Sequence, residues 1–253
     1  MTTPTPLAAC VAAVPAGAPR PSGGVASARI RTEAIIFDMD GTMIDSMPWH
    51  AQAWVEFARR RSMDIDVPDL MARTTGRNGT ECIIELLGRA VSQDEADALT
   101  HEKETIYREL FAPRFAEVAG FRQFAAQVRA RGLKVAVGTA GDLGNVEFAL
   151  GHLGLDPAPL AIVRGDEGLP GKPQPAIFLE AARRIAADPA HCIVFEDAPF
   201  GIEAARRAGM RAVAICSTHS ADELAGPHVL AAVRDYTELM NTDFLESIHV
   251  ATA

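Results

Sequence analysis

Cysteine is scarce in this chain: four in 253 residues, at positions 10, 82, 192 and 216. They form no CxxC pair, so neither a zinc site nor a dithiol redox centre is expected. Cys192 and Cys216 stand in apolar runs and read as small buried hydrophobes, which fits a reducing, cytoplasmic setting. No apolar run approaches the ~18 residues needed to cross a bilayer, so no membrane partner is expected. Positive charge is also in deficit. Lys and Arg total 24 against 33 Asp and Glu, a formal net charge of −9. Such a surface repels phosphate backbones and argues against nucleic acid as a partner. It leaves room for a small anionic substrate, because one site can be positive while the whole is negative. The GxxxxGKS/T phosphate loop, the GxSxG elbow and the HExxH zinc helix are all missing.

What remains is an ordinary globular balance, with 48% hydrophobic and 23% charged residues. It excludes a mainly disordered or fibrous chain. The length fits one large domain, or a core with a smaller partner. Residues 1–29 stand apart. They are rich in Pro, Ala, Gly, Ser and Thr without helical or strand period, and read as a disordered tail. Leu7-Ala8-Ala9-Cys10 faintly resembles a lipoprotein cleavage site, but no Lys or Arg precedes it and the apolar stretch is short.

Five short apolar runs predict buried parallel strands: residues 34–37, 133–137, 160–163, 192–195 and 212–215. Continuous apolar character suits strands covered on both faces. Helical spacing lies between them, in Phe121, Phe124, Ala125 and Val128, in Ile177, Phe178, Ala181 and Ala182, and in Ile202, Ala205 and Ala208. Strand–helix alternation predicts a doubly wound α/β sheet. Residues 47–113 break the rhythm with amphipathic helices over 50–61, 81–87 and 94–111. This block predicts an inserted helical second domain, with the core formed by 30–46 and 114–253. In an open α/β sheet the site lies at the carboxyl ends of the strands, so an insert after the first of them would sit over it as a lid.

The candidate chemistry also sits at strand ends. Asp38 and Asp40 are two apart on an extended chain and share a side. Two crowded carboxylates are costly unless a cation neutralises them. Gly41 allows an abrupt turn after them. Thr139 ends the second run and could be a turn residue. Lys172 precedes a helix and could be a solvated surface group, although Pro173 and Pro175 stiffen its surroundings. Glu196-Asp197 ends a later run and could be a helix cap. Together they match one reaction, phosphoryl transfer. It needs a carboxylate nucleophile, a second carboxylate as acid, a hard divalent cation on oxygen ligands, and a hydroxyl and an ammonium for the phosphoryl oxygens.

The string IIFDMDGTMIDS (35–46) resembles the first signature of the haloacid dehalogenase superfamily. By composition, Asp-x-Asp-Gly-Thr arises by chance in roughly one chain of this length in two hundred. VAVGT (135–139), GKPQPAIF (171–178) and IVFEDAPFGIEAARRAGM (193–210) resemble the other three signatures, in the right order. The resemblance spans about residues 30–240. It implies a Rossmann-like core with an inserted helical cap. Asp38 would be the nucleophile that forms an aspartyl phosphate, and Asp40 the general acid and base. Thr139 and Lys172 would bind the phosphoryl group. Mg²⁺ would be held by Asp38, the main-chain carbonyl of Asp40, Glu196 and Asp197. Asp40 argues against carbon–halogen cleavage, since the dehalogenases lack this second Asp. Phosphonate cleavage needs a cap lysine for a Schiff base, and Lys103, the cap's one lysine, lies late in it.

Within the superfamily the chain is most similar to the β-phosphoglucomutase and sugar-phosphate phosphatase group. His50 and Trp54 follow Asp38 at the spacing those enzymes show, although Trp54 could simply pack the cap. Residues 74–79 resemble their cap specificity loop, with Arg77 and Asn78 as substrate contacts; Arg77 could equally be a surface charge. Ala140 and Gly141 would also bind the substrate. The mutase loop carries a Lys where this chain has Thr75 and an Arg where it has Gly79. The segment 137–155 instead resembles fructose-1-phosphate phosphatases. The resemblance therefore implies a Mg²⁺-dependent phosphatase of small phosphosugars, a monomer or weak dimer. The alternatives are a β-phosphoglucomutase-like phosphotransferase and a non-catalytic binding protein of the same fold.

Overall fold

The structure, a computed structural model, describes residues 30–250. The expected tail, 1–29, lies outside them. The strands are β1 (Ile30–Thr32), β2 (Ala34–Phe37), β3 (Lys134–Gly138), β4 (Ala161–Val163), β5 (Cys192–Glu196), β6 (Arg211–Ile215), β7 (Val229–Val233) and β8 (Ile248–Val250). The helices are α1 (Met47–Arg60), α2 (Val67–Thr74), α3 (Gly79–Leu87), α4 (Gln93–Phe111), α5 (Phe121–Ala130), α6 (Leu143–Leu153), α7 (Ala176–Arg184), α8 (Pro199–Arg207), α9 (Tyr236–Met240) and α10 (Phe244–Ser247).

A six-stranded sheet runs in the order β4-β3-β2-β5-β6-β7, every neighbouring pair parallel. The chain starts in the middle at β2, steps outward to β3 and β4, then returns to β5 on the other side of β2. This reversal is the topological switch point, and the carboxyl ends of β2 and β5 flank its crevice. Side chains alternate across the sheet with period two. Ile35, Phe37, Ile193 and Phe195 pack on one face with Phe121, Phe124 and Tyr236. Ala34, Ile36, Cys192 and Val194 pack on the other with Phe178, Ala181 and Ala205. The strands are buried on both faces, which is why they read as unbroken apolar runs.

The expected fold class is the one observed. β7 was not expected: it is an edge strand whose exposure alternates, and its Ala-rich sequence carries little strand signal. The two-stranded β1–β8 pair was not expected either. Cys192 is buried as anticipated, whereas Cys216 is only half-buried beyond the end of β6.

Four helices, α1–α4, intervene between β2 and α5, in the stretch expected to be an inserted cap. The side chains of Asp66, Asn78 and Ser92 cap α2, α3 and α4, each accepting a hydrogen bond from a backbone N–H three residues on. Trp54, Phe57, Leu70, Ile83, Ile106 and Phe111 make the cap interior, continuous with the core face under α5. No helix among the described residues is long and apolar enough to cross a membrane.

Candidate active site

Register brings the first acidic groups together. Phe37 of β2 lies opposite Phe195 of β5, and Asp38 N–H donates to the Phe195 carbonyl at 3.0 Å. Asp38 therefore emerges beside Glu196, although 158 positions separate them in the sequence. One carboxylate oxygen each from Asp38, Glu196 and Asp197 lies within 4.8 Å of the others, and all three residues are buried.

Two glycines make this crowding possible. Gly41 has φ +73°, and a Cβ there would fall 2.2 Å from Asp197 Oδ2. A Cβ on Gly201 would fall 1.6 Å from Glu196 Oε1. Glu196 Oε2 accepts the backbone N–H groups of Asp197 at 2.5 Å and Ala198 at 2.9 Å. Asp197 accepts from the hydroxyls of Thr42 at 3.3 Å and Thr218 at 2.5 Å. Lys172, 2% exposed, donates to Asp38 Oδ1 and to Glu196 Oε1, the latter at 2.8 Å. Burial alone would lower the Lys172 pKa, but Asp38 and Glu196 outweigh it and hold it above the usual lysine value. Burial, then Glu196 and Asp38, push the Asp197 carboxyl well up. Burial pushes Asp38 up as well, with Lys172 opposing. Three buried carboxylates against one ammonium form an excess of hard oxygen donors, which fits a divalent cation such as Mg²⁺.

Asp40 is held differently. Its Oδ1 accepts from Ser46 Oγ at 2.7 Å, His50 Nε2 at 3.1 Å and Tyr107 OH at 3.4 Å. Its Oδ2 has no protein donor among the described residues. Lys103 Nζ donates to His50 Nδ1 at 2.6 Å, so the imidazole proton sits on Nε2 and points at Asp40. Burial alone would raise the Asp40 carboxyl; His50 and Ser46, with Lys103 behind them, outweigh it and hold it low. Lys103 continues to Glu104 at 2.9 Å, and Glu104 accepts from Asn145 Nδ2 of α6 at 2.8 Å. This chain of contacts ties cap helices α1 and α4 to the core.

A cavity of about 1000 Å³ opens over these groups, and all twelve residues singled out in the sequence line it. Their environments differ. Thr139, buried at the end of β3, accepts from the Gly141 N–H at 3.0 Å. Asn78 spends its amide oxygen on capping α3. The Arg77 guanidinium lies 5.5 Å from the Phe200 ring centroid and 3.4 Å from Glu85. Trp54 is 4% exposed, packs edge-on against Phe57 and also receives Lys103 over its ring at 5.1 Å.

Sequence reasoning missed Ser46, Tyr107, Glu104, Asn145 and Thr218. It also set Lys103 aside, yet Lys103 is buried in the cavity wall. Ser46 lay inside the first motif and could have been noticed there. The others come from distant elements with no local signal.

Residues 32–209 match the family model for haloacid dehalogenase-like hydrolases. The chain belongs to this family. Fructose-1-phosphate phosphatase YqaB of Escherichia coli is 36% identical over 191 residues, covering 72% of this chain and 96% of its own. The β-phosphoglucomutase of Bacillus subtilis is 32% identical over 193 residues, covering 72% and 83%. A hydrolase from Pseudomonas syringae superposes with a TM-score of 0.76 at 26% identity, covering 87% of this chain and all of that one. The haloacid dehalogenase-like hydrolases thus include both phosphatase and phosphomutase relatives of this chain.

Proposed function

We propose that the protein is a Mg²⁺-dependent phosphatase of small phosphosugars that works through an aspartyl phosphate on Asp38. The observation that carries this reading is the pairing of two carboxylates with different partners at one cavity mouth. Asp38 lies among metal-binding partners and under Lys172. Asp40 is steered through Oδ1 and leaves Oδ2 open.

An Asp38 oxygen attacks phosphorus as the ester P–O bond breaks, and Asp40 Oδ2 delivers a proton to the departing sugar oxygen. Asp40 then takes a proton from water as that water attacks phosphorus. The Asp38–phosphorus bond breaks and inorganic phosphate leaves. Asp40 is held as a carboxylate without substrate, the form needed for the second step. A bound phosphomonoester brings negative charge beside it and pushes its pKa upward, toward the form needed for the first. Lys172 and the Thr139 hydroxyl steady the phosphoryl oxygens. The cation would be held by Asp38, Glu196, Asp197 and the Asp40 carbonyl, and would supply neutralisation of the phosphoryl charge.

The named relatives support a phosphosugar as substrate. Phosphate release from a panel of phosphosugars tests the reading. Turnover with Mg²⁺, its loss in excess chelator and its absence in Asp38→Asn are expected. Full activity in chelator would overturn the metal assignment. A β-phosphoglucomutase-like transfer is the second reading, favoured by the 32% identity to that enzyme.

A further inference from the structure

The three carboxylates of the acidic cluster are fixed in different ways. Glu196 is held by two backbone N–H groups and by Lys172, and Asp38 by Lys172. Asp197 receives no ammonium and no backbone N–H among the described residues. Its carboxylate accepts from two hydroxyls, Thr42 on Oδ1 at 3.3 Å and Thr218 on Oδ2 at 2.5 Å. The closer donor comes from outside the four motifs, from the loop after β6.

That loop is anchored at both ends. Glu196 lies opposite Ala214 of β6, so the chain leaves the sheet beside the acidic pair. The Cys216 N–H donates to the Val233 carbonyl of β7 at 2.7 Å, and Leu224 is fully buried in the core. Between these anchors, Ser217 Oγ donates to the Gly41 carbonyl, one peptide beyond the Asp40 carbonyl. His219 Nδ1 lies 2.9 Å from Thr218 Oγ1 and 3.0 Å from the Asp197 carbonyl. Facing a carbonyl oxygen, that nitrogen carries the proton and donates. The Thr218 hydroxyl keeps its own proton for Asp197. Three consecutive side chains thus hold the turn after β2 and the turn after β5 together.

We infer that Thr218, with Ser217 and His219 beside it, is a positioning residue that fixes the Asp197 carboxylate for the divalent cation. This rests on the metal part of the phosphatase reading and adds a residue to it. A carboxylate that binds a cation is ionised and can only accept hydrogen bonds. A hydroxyl supplies the donor without adding a positive charge that would compete with the ion. Groups behind the ligands set ligand orientation and, through it, metal affinity.

Mn²⁺ suits the same oxygen ligands as Mg²⁺, and its free-ion electron paramagnetic resonance signal reports binding without turnover. Wild type, Thr218→Val and Thr218→Ser are titrated with Mn²⁺ alone. Thr218 is exposed, so neither change disturbs the core. Valine keeps the shape and removes the hydroxyl; serine keeps the hydroxyl and removes the methyl. Thr218→Val is expected to weaken Mn²⁺ binding by about tenfold, the lower end for a group behind a metal ligand, while Thr218→Ser stays within about twofold of wild type. A merely structural role of the side chain predicts the reverse order, with valine tolerated and serine harmful. That reverse order, equal affinities in all three proteins, or a Thr218→Val protein unfolded by circular dichroism would each overturn the inference and leave the metal assignment standing. Absence of Mn²⁺ binding to the wild type would overturn both.

Discussion

At the scale of single residues, the site separates two carboxylates by what surrounds them. Asp38 sits among like charges and one ammonium; Asp40 is fed donors on one oxygen by Ser46, His50 and Tyr107. Asp40→Asn removes the proposed proton donor and leaves the proposed nucleophile. It is expected to slow sugar-phosphate turnover by about 10²–10⁴-fold, and nitrophenyl phosphate far less, because an acidic leaving oxygen needs little protonation. Equal losses on both substrates would remove Asp40 from that role. Glu104 gives a test in stability. Burial alone would raise its pKa, but Lys103 and His50 outweigh burial and hold it low. A carboxyl lowered in the folded state adds stability that is fully present above its unfolded pKa and is lost as pH falls through the folded one. Glu104→Gln is expected to lose roughly 1–3 kcal/mol in urea unfolding at neutral pH. That gap closes only as the pH falls through the folded-state pKa of Glu104, which lies below the usual glutamate value, so that the wild-type carboxyl is neutral too. A gap that persists in acid would assign the loss to packing.

At the scale of elements, the strand ends carry the chemistry and the helix that follows each strand must leave room for it. α8 shows this most directly. Gly201 lies in its first turn, where a Cβ would meet Glu196. Alanine is ordinarily worth about 1 kcal/mol over glycine inside a helix, so propensity alone makes Gly201→Ala stabilising. The clash reverses the sign: overpacking typically costs about 1–3 kcal/mol. Glu196 cannot retreat while Lys172 and two backbone N–H groups hold it. Gly201→Ala is expected to lower both the melting temperature and the affinity for Mg²⁺, followed by thermal unfolding with and without the ion. A more stable protein with unchanged affinity would show that Glu196 is free to move.

The elements also explain what could be read in advance. β2, β3, β5 and β6 are covered on both faces, so burial writes itself as an apolar run. β7 at the edge and α6, interrupted by Gly144 and Gly151, write no such pattern. Asp38, Asp40, Lys172, Glu196 and Asp197 were legible because each belongs to a compact motif at a strand end or loop. Tyr107, Glu104, Asn145 and Thr218 reach the site only through the packing of α4, α6 and the loop after β6, which no local window contains.

At the scale of the whole molecule, the relation of cap to core separates a phosphatase from a mutase. A mutase must keep water from its aspartyl phosphate while a bisphosphate turns over, and it must grip the distal phosphate from the cap. By resemblance that grip uses a Lys where this chain has Thr75 and an Arg where it has Gly79. The packing closes the second position. A Cβ on Gly79 would lie 2.4 Å from the Thr100 side chain, so α4 occupies the space in which an arginine would begin. Arg77, the remaining candidate on the loop, is turned to Glu85 and Phe200. With no unpaired cation presented to a second phosphate among the described residues, water is the expected acceptor. Phosphate release from hexose or smaller monophosphates is therefore expected to outpace isomerisation of β-glucose 1-phosphate. Arg77→Ala is expected to raise KM without abolishing the chemical step, because Arg77 lies on the cap and not among the reacting groups. The deciding measurement is a coupled assay with β-glucose 1-phosphate and a catalytic amount of the 1,6-bisphosphate. Rapid formation of glucose 6-phosphate with little free phosphate would make the mutase the correct reading. It would also mean that α3 and α4 part far enough to admit a second phosphate beside Gly79.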